Sequence, residues 1–347
     1  MKKEQGDRKF SQVLKWVGYA TAILSLGGAV AGIVRFVYGR AETHRKVAAL
    51  ISAEAVQLQS RDYESAWRSL EQAAQLLPDA RKVRDAQESL AMAWLENVHL
   101  HENQKFSDVT QKLEPILTRA VAASGPGPRR ADLRAHLGWV YFLETRDGRF
   151  DLEPAGPYAE AVQEDHNNPY AQAMWGFWVL WQHCDRVNDG EGHFAAALIS
   201  RREEDYVREL QLAALLNCND EQSDAELIRV ANAMRGEQKI IDEETRWRIW
   251  PLYYFHFARE TPEKARFIHS VAPAEHLATF HWLFDALPLS DSDRLSRMYY
   301  LAVLQEAAGL GEDALANYRA VLKQTPPDGG SRWQGASAGA KRLSRSQ

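Results

Sequence analysis

From about residue 40 onward, apolar residues recur at i, i+3, i+4 and i+7, and Ala, Leu, Glu, Gln and Arg dominate between them. That period belongs to amphipathic helices built from strong helix formers. No run alternates β-branched and polar residues as a half-buried strand would, so the pattern predicts an all-α chain and excludes the usual α/β enzyme frameworks. The start of the chain reads differently. Trp16 to Val34 is 19 residues without one charge, which as a helix spans about 28 Å, close to the hydrocarbon thickness of a bilayer. Lys15 and Arg35 bound it, and Trp16 and Tyr38 stand at its edges as interfacial anchors. A transmembrane helix over 16–38 is therefore expected. Ala29-Val30-Ala31 also fits a signal-peptide cleavage site, but Glu4 and Asp7 in the leading region and the apolar residues beyond the site favour a retained helix. Five basic residues precede the span and four follow it closely, so charge leaves its orientation open. Gly28 and Gly32 are spaced to let two such helices approach closely.

Gly and Pro punctuate the rest. GPGPRR (125–130) reads as a linker with a subdivision near 124–130, RVNDGEG (186–192) as a loop, and Pro251 as the start or kink of a helix. The sequence after Pro326 is rich in Gly, Ser and Arg, and reads as disordered. The expected layout is a basic tail (1–15), the membrane helix (16–38), a helical repeat domain (41–328) and a disordered basic tail (329–347).

Internal similarity supports the repeats. DYESAWRSLEQAAQLLPD (62–79) has Ala66, Leu70, Ala73 and Pro78, and GEDALANYRAVLKQTP (311–326) has Ala314, Tyr318, Val321 and Pro326 at the same spacing. A small residue lets two helices cross closely, a large one fills the space beside it, and proline stops the second helix. Leu137-Gly138 with Tyr141, Tyr158 with Ala161, Trp175-Gly176 with Phe194 and Ala197, and Leu301-Ala302 extend the pattern, with His166 where proline is usual. The chain here resembles the tetratricopeptide repeat family, most closely over 47–80 and 295–328, less so over 131–200, and weakly over 81–130 and 205–292. The resemblance implies a helical-repeat solenoid that holds a peptide or helix in a concave groove. Carried onto the Leu-Gly and Trp-Gly repeats, its groove positions fall at Trp139, Phe142, Phe177 and Trp181.

Charge and chemistry refine this picture. Residues 1–46 hold nine basic and three acidic residues, a net of +6, and 329–347 hold four basic and no acidic ones, a net of +4. With −5 for the whole chain, residues 47–328 carry −15. An acidic body is a poor nucleic-acid binder and suits a basic or apolar partner. Buried free thiols are the expected state of Cys184 and Cys218, with one bridge as the alternative in an oxidising compartment. His183, Cys184, His193 and Cys218 have no zinc-ligand spacing, so no metal and no cofactor is expected. Gly335-Ala336-Ser337-Ala338-Gly339 matches G-x-S-x-G but lacks the strand that a nucleophile elbow needs. The acidic clusters 203–205 and 242–244 read as helix starts or solvated faces.

The resulting expectation is a single-pass membrane protein that binds a protein or peptide and catalyses nothing; the Gly28/Gly32 spacing leaves self-association through the membrane helix open. The rival readings are a structural subunit of a membrane complex and, third, a ligand sensor or enzyme.

Overall fold

The computed structural model describes residues 38–98, 105–218, 220–258, 261–325 and 330–346. The predicted membrane segment, with Gly28 and Gly32, lies outside them except for Tyr38. No helix among the described residues is long and apolar enough to cross a membrane. They contain helices and turns and no strand, as the periodicity predicts. The chain divides into two compact units, Met1–His101 and Glu102–Gln347.

The first unit contains α1 (38–59), α2 (Tyr63–Leu76) and α3 (Arg81–Glu96). Asp62 starts α2 by accepting from the Ser65 backbone N–H at 3.1 Å, meeting one of the donors a helix start leaves unpaired. Ala66, Leu70 and Ala73 are fully buried. Ala66 and Leu70 pack with Leu90, and Ala73 with Val47 and Val83. The repeat motif therefore holds α2 between α1 and α3.

The second unit runs through α4 (Ser107–Ala123), α5 (Pro128–Arg146), α6 (Ala155–Glu164), α7 (Pro169–Gln182), α8 (Val187–Ile199), α9 (Glu204–Leu216), α10 (Glu221–Gly236), α11 (Glu243–Phe257), α12 (Pro262–Ile268), α13 (Pro273–Phe284), α14 (Asp291–Ala307), α15 (Gly311–Gln324) and α16 (Gly330–Ser346). Pairs of neighbours in sequence pack together (α4 on α5, α5 on α6, α7 on α8, α14 on α15), and the first helices of successive pairs also touch, α5 on α7 and α7 on α9. This is an all-helical repeat fold. A β-carbon on Gly138 would lie 2.6 Å from the Tyr158 ring, and one on Gly176 would lie 2.9 Å from the Gly190 carbonyl. The Leu-Gly and Trp-Gly marks therefore work as close crossings. Arg130 binds Glu164 through Nε at 2.8 Å and Nη2 at 2.7 Å, clamping the start of α5 to the end of α6.

Two local expectations are corrected, and two others find their place. GPGPRR begins as the link between α4 and α5, and Pro128 occupies the first turn of α5, which packs on α4. RVNDGEG is no loop: it follows a short 3-10 turn (Cys184–Arg186) into α8. Gly190 is needed there because a β-carbon would lie 2.5 Å from Leu180. Pro251 does not start α11 but lies inside it, where the alternative of a kink places it; the helix starts where Asp242 accepts from the Thr245 N–H at 2.7 Å. Residues 330–346 are no disordered tail: they form α16, which packs on α14 and α15. Arg342 pairs with both oxygens of Glu306 at 3.0 Å, and Arg332 donates to Ser296 Oγ at 2.7 Å. Ala336 is fully buried. Gly335 and Gly339 seat the rings of Tyr299 and Tyr318, with no room for a β-carbon. The G-x-S-x-G match is thus a helix-packing stripe.

Candidate functional site

The four predicted groove residues do come together. Trp139 and Phe142 share one face of α5, and Phe177 and Trp181 share one face of α7. Ring centroids are 5.3 Å apart for Trp139–Phe177, 5.6 Å for Phe142–Phe177 and 5.8 Å for Phe142–Trp181, mostly in the edge-to-face arrangement that aromatic quadrupoles favour. They do not line an open groove. Trp139 is 2% exposed, and Phe142 and Phe177 are completely buried. The reason is the direct packing of α5 on α7: positions assigned to a concave surface become the contact between successive repeats. Only Trp181, 40% exposed, reaches solvent. The Arg146 guanidinium lies 4.6 Å from its ring and 4.8 Å from that of Phe106, a cation–π sandwich whose burial lowers the Arg146 pKa.

Cys184 and Cys218 form a disulfide with a Cα–Cα distance of 5.3 Å, in place of the expected free thiols. It ties the end of α7 to the end of α9. Asp220 lies close enough to complete a three-residue metal-ligating group. Its carboxylate, however, caps α10 through the Gln222 and Ser223 N–H groups, and both sulfurs are consumed by the bridge. His193 is held by Gln172 at 2.7 Å and stacked on Trp175.

A second aromatic cluster fills the space between α11 and α14. Tyr253 is completely buried and meets Phe280 at 4.9 Å, Phe267 at 5.2 Å and Phe284 at 5.4 Å. Its hydroxyl donates to His276 Nε2 at 3.1 Å, while His276 Nδ1 donates to the Ile268 carbonyl at 3.0 Å. Burial drives the His276 pKa down to about 4 and raises that of Tyr253. His256 pairs with Asp224 at 2.8 Å and lies flat on Phe267 at 4.1 Å. These groups satisfy one another inside the unit, an arrangement suited to fixing helices.

Glu191 on α8 is a half-buried carboxylate whose Oε1 is shielded from solvent. Burial and the like charge of Glu226 raise its pKa to about 7, against the opposing influence of Gln211, Arg208 and Arg229. Gln211 donates to it at 2.6 Å.

The surface feature that sequence reasoning missed is the outer face of α11. Ile249, Trp250, Leu252, Tyr253, His256 and Phe257 point inward. Trp247, Pro251, Tyr254 and Phe255 share the opposite side, with Tyr254 51% and Phe255 67% exposed. The run RWRIWPLYYFHF (246–257) reads as core because aromatics usually are core. The overlooked signal is that, apart from His256, it is apolar all round from Ile249 onward, more than one helix packed on one side can bury.

No protein-family model matches the chain, and no curated protein matches it. Among solved structures it is similar to the crystal structure of a tetratricopeptide repeat protein from Parabacteroides merdae ATCC 43184, with 12% sequence identity and a TM-score of 0.40, over 86% of this chain and 99% of that one.

Proposed function

We propose that this chain is a membrane-tethered interaction module whose repeat domain holds another protein and catalyses no reaction. The observation that carries this reading is the exposed aromatic face of α11 on a scaffold of stacked helices. Helical repeats expose long surfaces and bind through them, and contiguous aromatic surface on a folded unit marks a contact site. The uncharged run at 16–34 supplies the tether, which raises the domain's effective concentration toward partners at the same membrane.

The disulfide supports one orientation. A bridge of this kind persists in oxidising compartments, so the repeats belong on the non-cytosolic side, with residues 1–15 facing the cytosol. Closing 34 residues of chain stabilises the fold by about 3–4 kcal/mol. Two reporters fused to the C-terminus, one fluorescent only in the cytosol and one active only outside it, test the placement. The outside signal is expected, together with thiols that react with a maleimide only after reduction. A cytosolic signal with two reactive thiols overturns it.

Mild detergent extraction tests the interaction itself. A second protein in stoichiometric amount is expected to accompany the full chain, and a lone monomer sinks the reading. The rival is a fixed subunit of a membrane assembly, in which the Gly28/Gly32 helix also pairs. It predicts a complex that survives loss of the α11 face and is disrupted by Gly28→Leu.

A further inference from the structure

We infer that the outer face of α11 is the docking site for a basic, amphipathic helical segment of the partner protein. This rests on the interaction reading above and names the partner's chemistry.

The face has three parts. Its apolar ridge is Trp247, Pro251, Tyr254 and Phe255, at the i, i+4, i+7 and i+8 positions of one helix. The Tyr254 and Phe255 rings meet at 5.8 Å, forming one apolar patch. A partner covering such rings gains the desolvation that drives most interface hot spots. The second part is charge. The ridge begins at three exposed acidic residues, Asp242, Glu243 and Glu244. The basic neighbours are withdrawn: Arg246 and Arg248 are half-buried, and Arg248 reaches back to Asn217. The unit that holds the ridge, residues 102–347, carries a net −8, from −12 over 102–328 and +4 over 329–347, so the field around the ridge favours a cationic partner. The third part is a backbone acceptor. Pro251 has no N–H, so the Trp247 carbonyl four residues earlier lacks its helical donor. Trp247 Nε1 donates to Glu243 at 3.4 Å, linking the ring to the acidic end.

The same unit already holds a segment of this chemistry. α16 is a basic amphipathic helix, and it docks on α14 and α15 by burying Ala336 and pairing Arg342 with Glu306. The α11 face offers the same combination of rings and carboxylates, uncovered.

The test uses the full chain in zwitterionic lipid discs and a fluorescein-labelled 18-residue Leu/Lys amphipathic peptide, with empty discs subtracted and a Leu/Glu peptide as counterpart. Anisotropy is expected to show binding of the Leu/Lys peptide, weakening with salt, and little binding of the Leu/Glu peptide. Tyr254→Ser with Phe255→Ser should weaken it about tenfold or more with the melting temperature unchanged. Glu243→Lys with Glu244→Lys should weaken it about tenfold and favour the Leu/Glu peptide. Equal binding of both peptides, or indifference to both double variants, overturns the proposal. So does an effect of Tyr254→Ser/Phe255→Ser on vesicle flotation or on the monomer–dimer equilibrium without an effect on peptide binding, which makes lipid or a second copy the occupant. Leu/Lys binding that survives both variants removes this site and leaves the interaction reading standing. Intact, variant-sensitive binding by a chain that extracts as a lone monomer does the reverse.

Discussion

Within the pairs α5/α6 and α7/α8 the helices close on one another through glycine, and between α11 and α14 they close through rings. Gly138 lies under Tyr158, Gly176 under Phe194 and the Gly190 backbone, and Gly190 under Leu180. From 237 to 308 the chain has no glycine at all, and Trp250, Tyr253, Phe280 and Phe284 fill the space by edge-to-face contact. The two modes differ in what they tolerate. A glycine crossing has no slack, because the neighbour sits where a β-carbon would be. A ring cluster can exchange one large group for another but cannot lose one without leaving a cavity.

The largest expected effect follows from that contrast. Tyr253→Ala should cost about 4 kcal/mol, the usual penalty for truncating a buried ring, and it strips His276 Nε2 of its donor. Gly138→Ala should cost about 2 kcal/mol by overpacking against Tyr158, although alanine is the better helix former. Gly192→Ala, in α8 with nothing within 4 Å of a new β-carbon, should instead stabilise by about 0.5–1 kcal/mol. Urea denaturation of the three variants measures all three. A neutral Gly138→Ala would break the comparison.

The contrast also explains which region was legible in the sequence. A glycine or alanine crossing demands a small residue at one position and a large one at a fixed offset, so Ala66/Leu70/Ala73, Leu137-Gly138 and Ala314/Tyr318 announce their helices. Ring clusters impose no offset, because an edge-to-face contact forms from many spacings, and α9–α13 therefore show the repeat weakly while still reading as helical. The site was harder. The sequence groups Trp139, Phe142, Phe177 and Trp181 but points them to a groove, since family positions do not record how far α5 and α7 close. The misread glycines of 186–192 and 330–339 have one cause: sequence does not separate a glycine used for a turn from one used for close approach. The sequence favours free thiols at Cys184 and Cys218 because the two sulfurs meet only once α7 and α9 pack.

The two packing regions also carry opposite pH dependences. His276, in the ring cluster, has its pKa lowered to about 4, with the burial effect reinforced by His256 and His269. Its contribution is present above about pH 6.5 and is lost as pH falls toward 4. Glu191, beside the glycine crossings, has its pKa raised to about 7. Its contribution is present below about pH 4.5 and is lost as pH rises through 7. Each is worth on the order of 2–3 kcal/mol, so in the native chain they largely cancel between pH 4.5 and 6.5. Substitution separates them. Glu191→Gln should leave a protein that loses stability on acidification across that window, and His276→Gln one that gains it. Parallel pH profiles for the two variants would show that these groups do not set the dependence.

The smallest effect expected lies at α16, where the two modes meet. Gly335 and Gly339 make the close approach, and the rings they meet are Tyr299 and Tyr318 of α14 and α15. Glu306 joins them, accepting from the Tyr318 hydroxyl at 2.8 Å and from Arg342; these donors hold its pKa below the ordinary value against the larger effect of burial. Glu306→Gln keeps an acceptor for Tyr318 and removes the charge facing half-exposed Arg342, at a cost of about 0.5–1 kcal/mol. Because α16 packs mainly on α14 and α15, that loss should appear as local fraying and not as global unfolding. Trypsin cleavage at Lys341 and Arg342 should become faster while the urea midpoint stays in place. Gly339→Ala should accelerate the same cleavage further, since the Tyr318 ring has nowhere to move. If Glu306→Gln lowers the urea midpoint as much as Gly138→Ala does, α16 is part of the cooperative core, and the close fit of its glycines matters as much as that of α5.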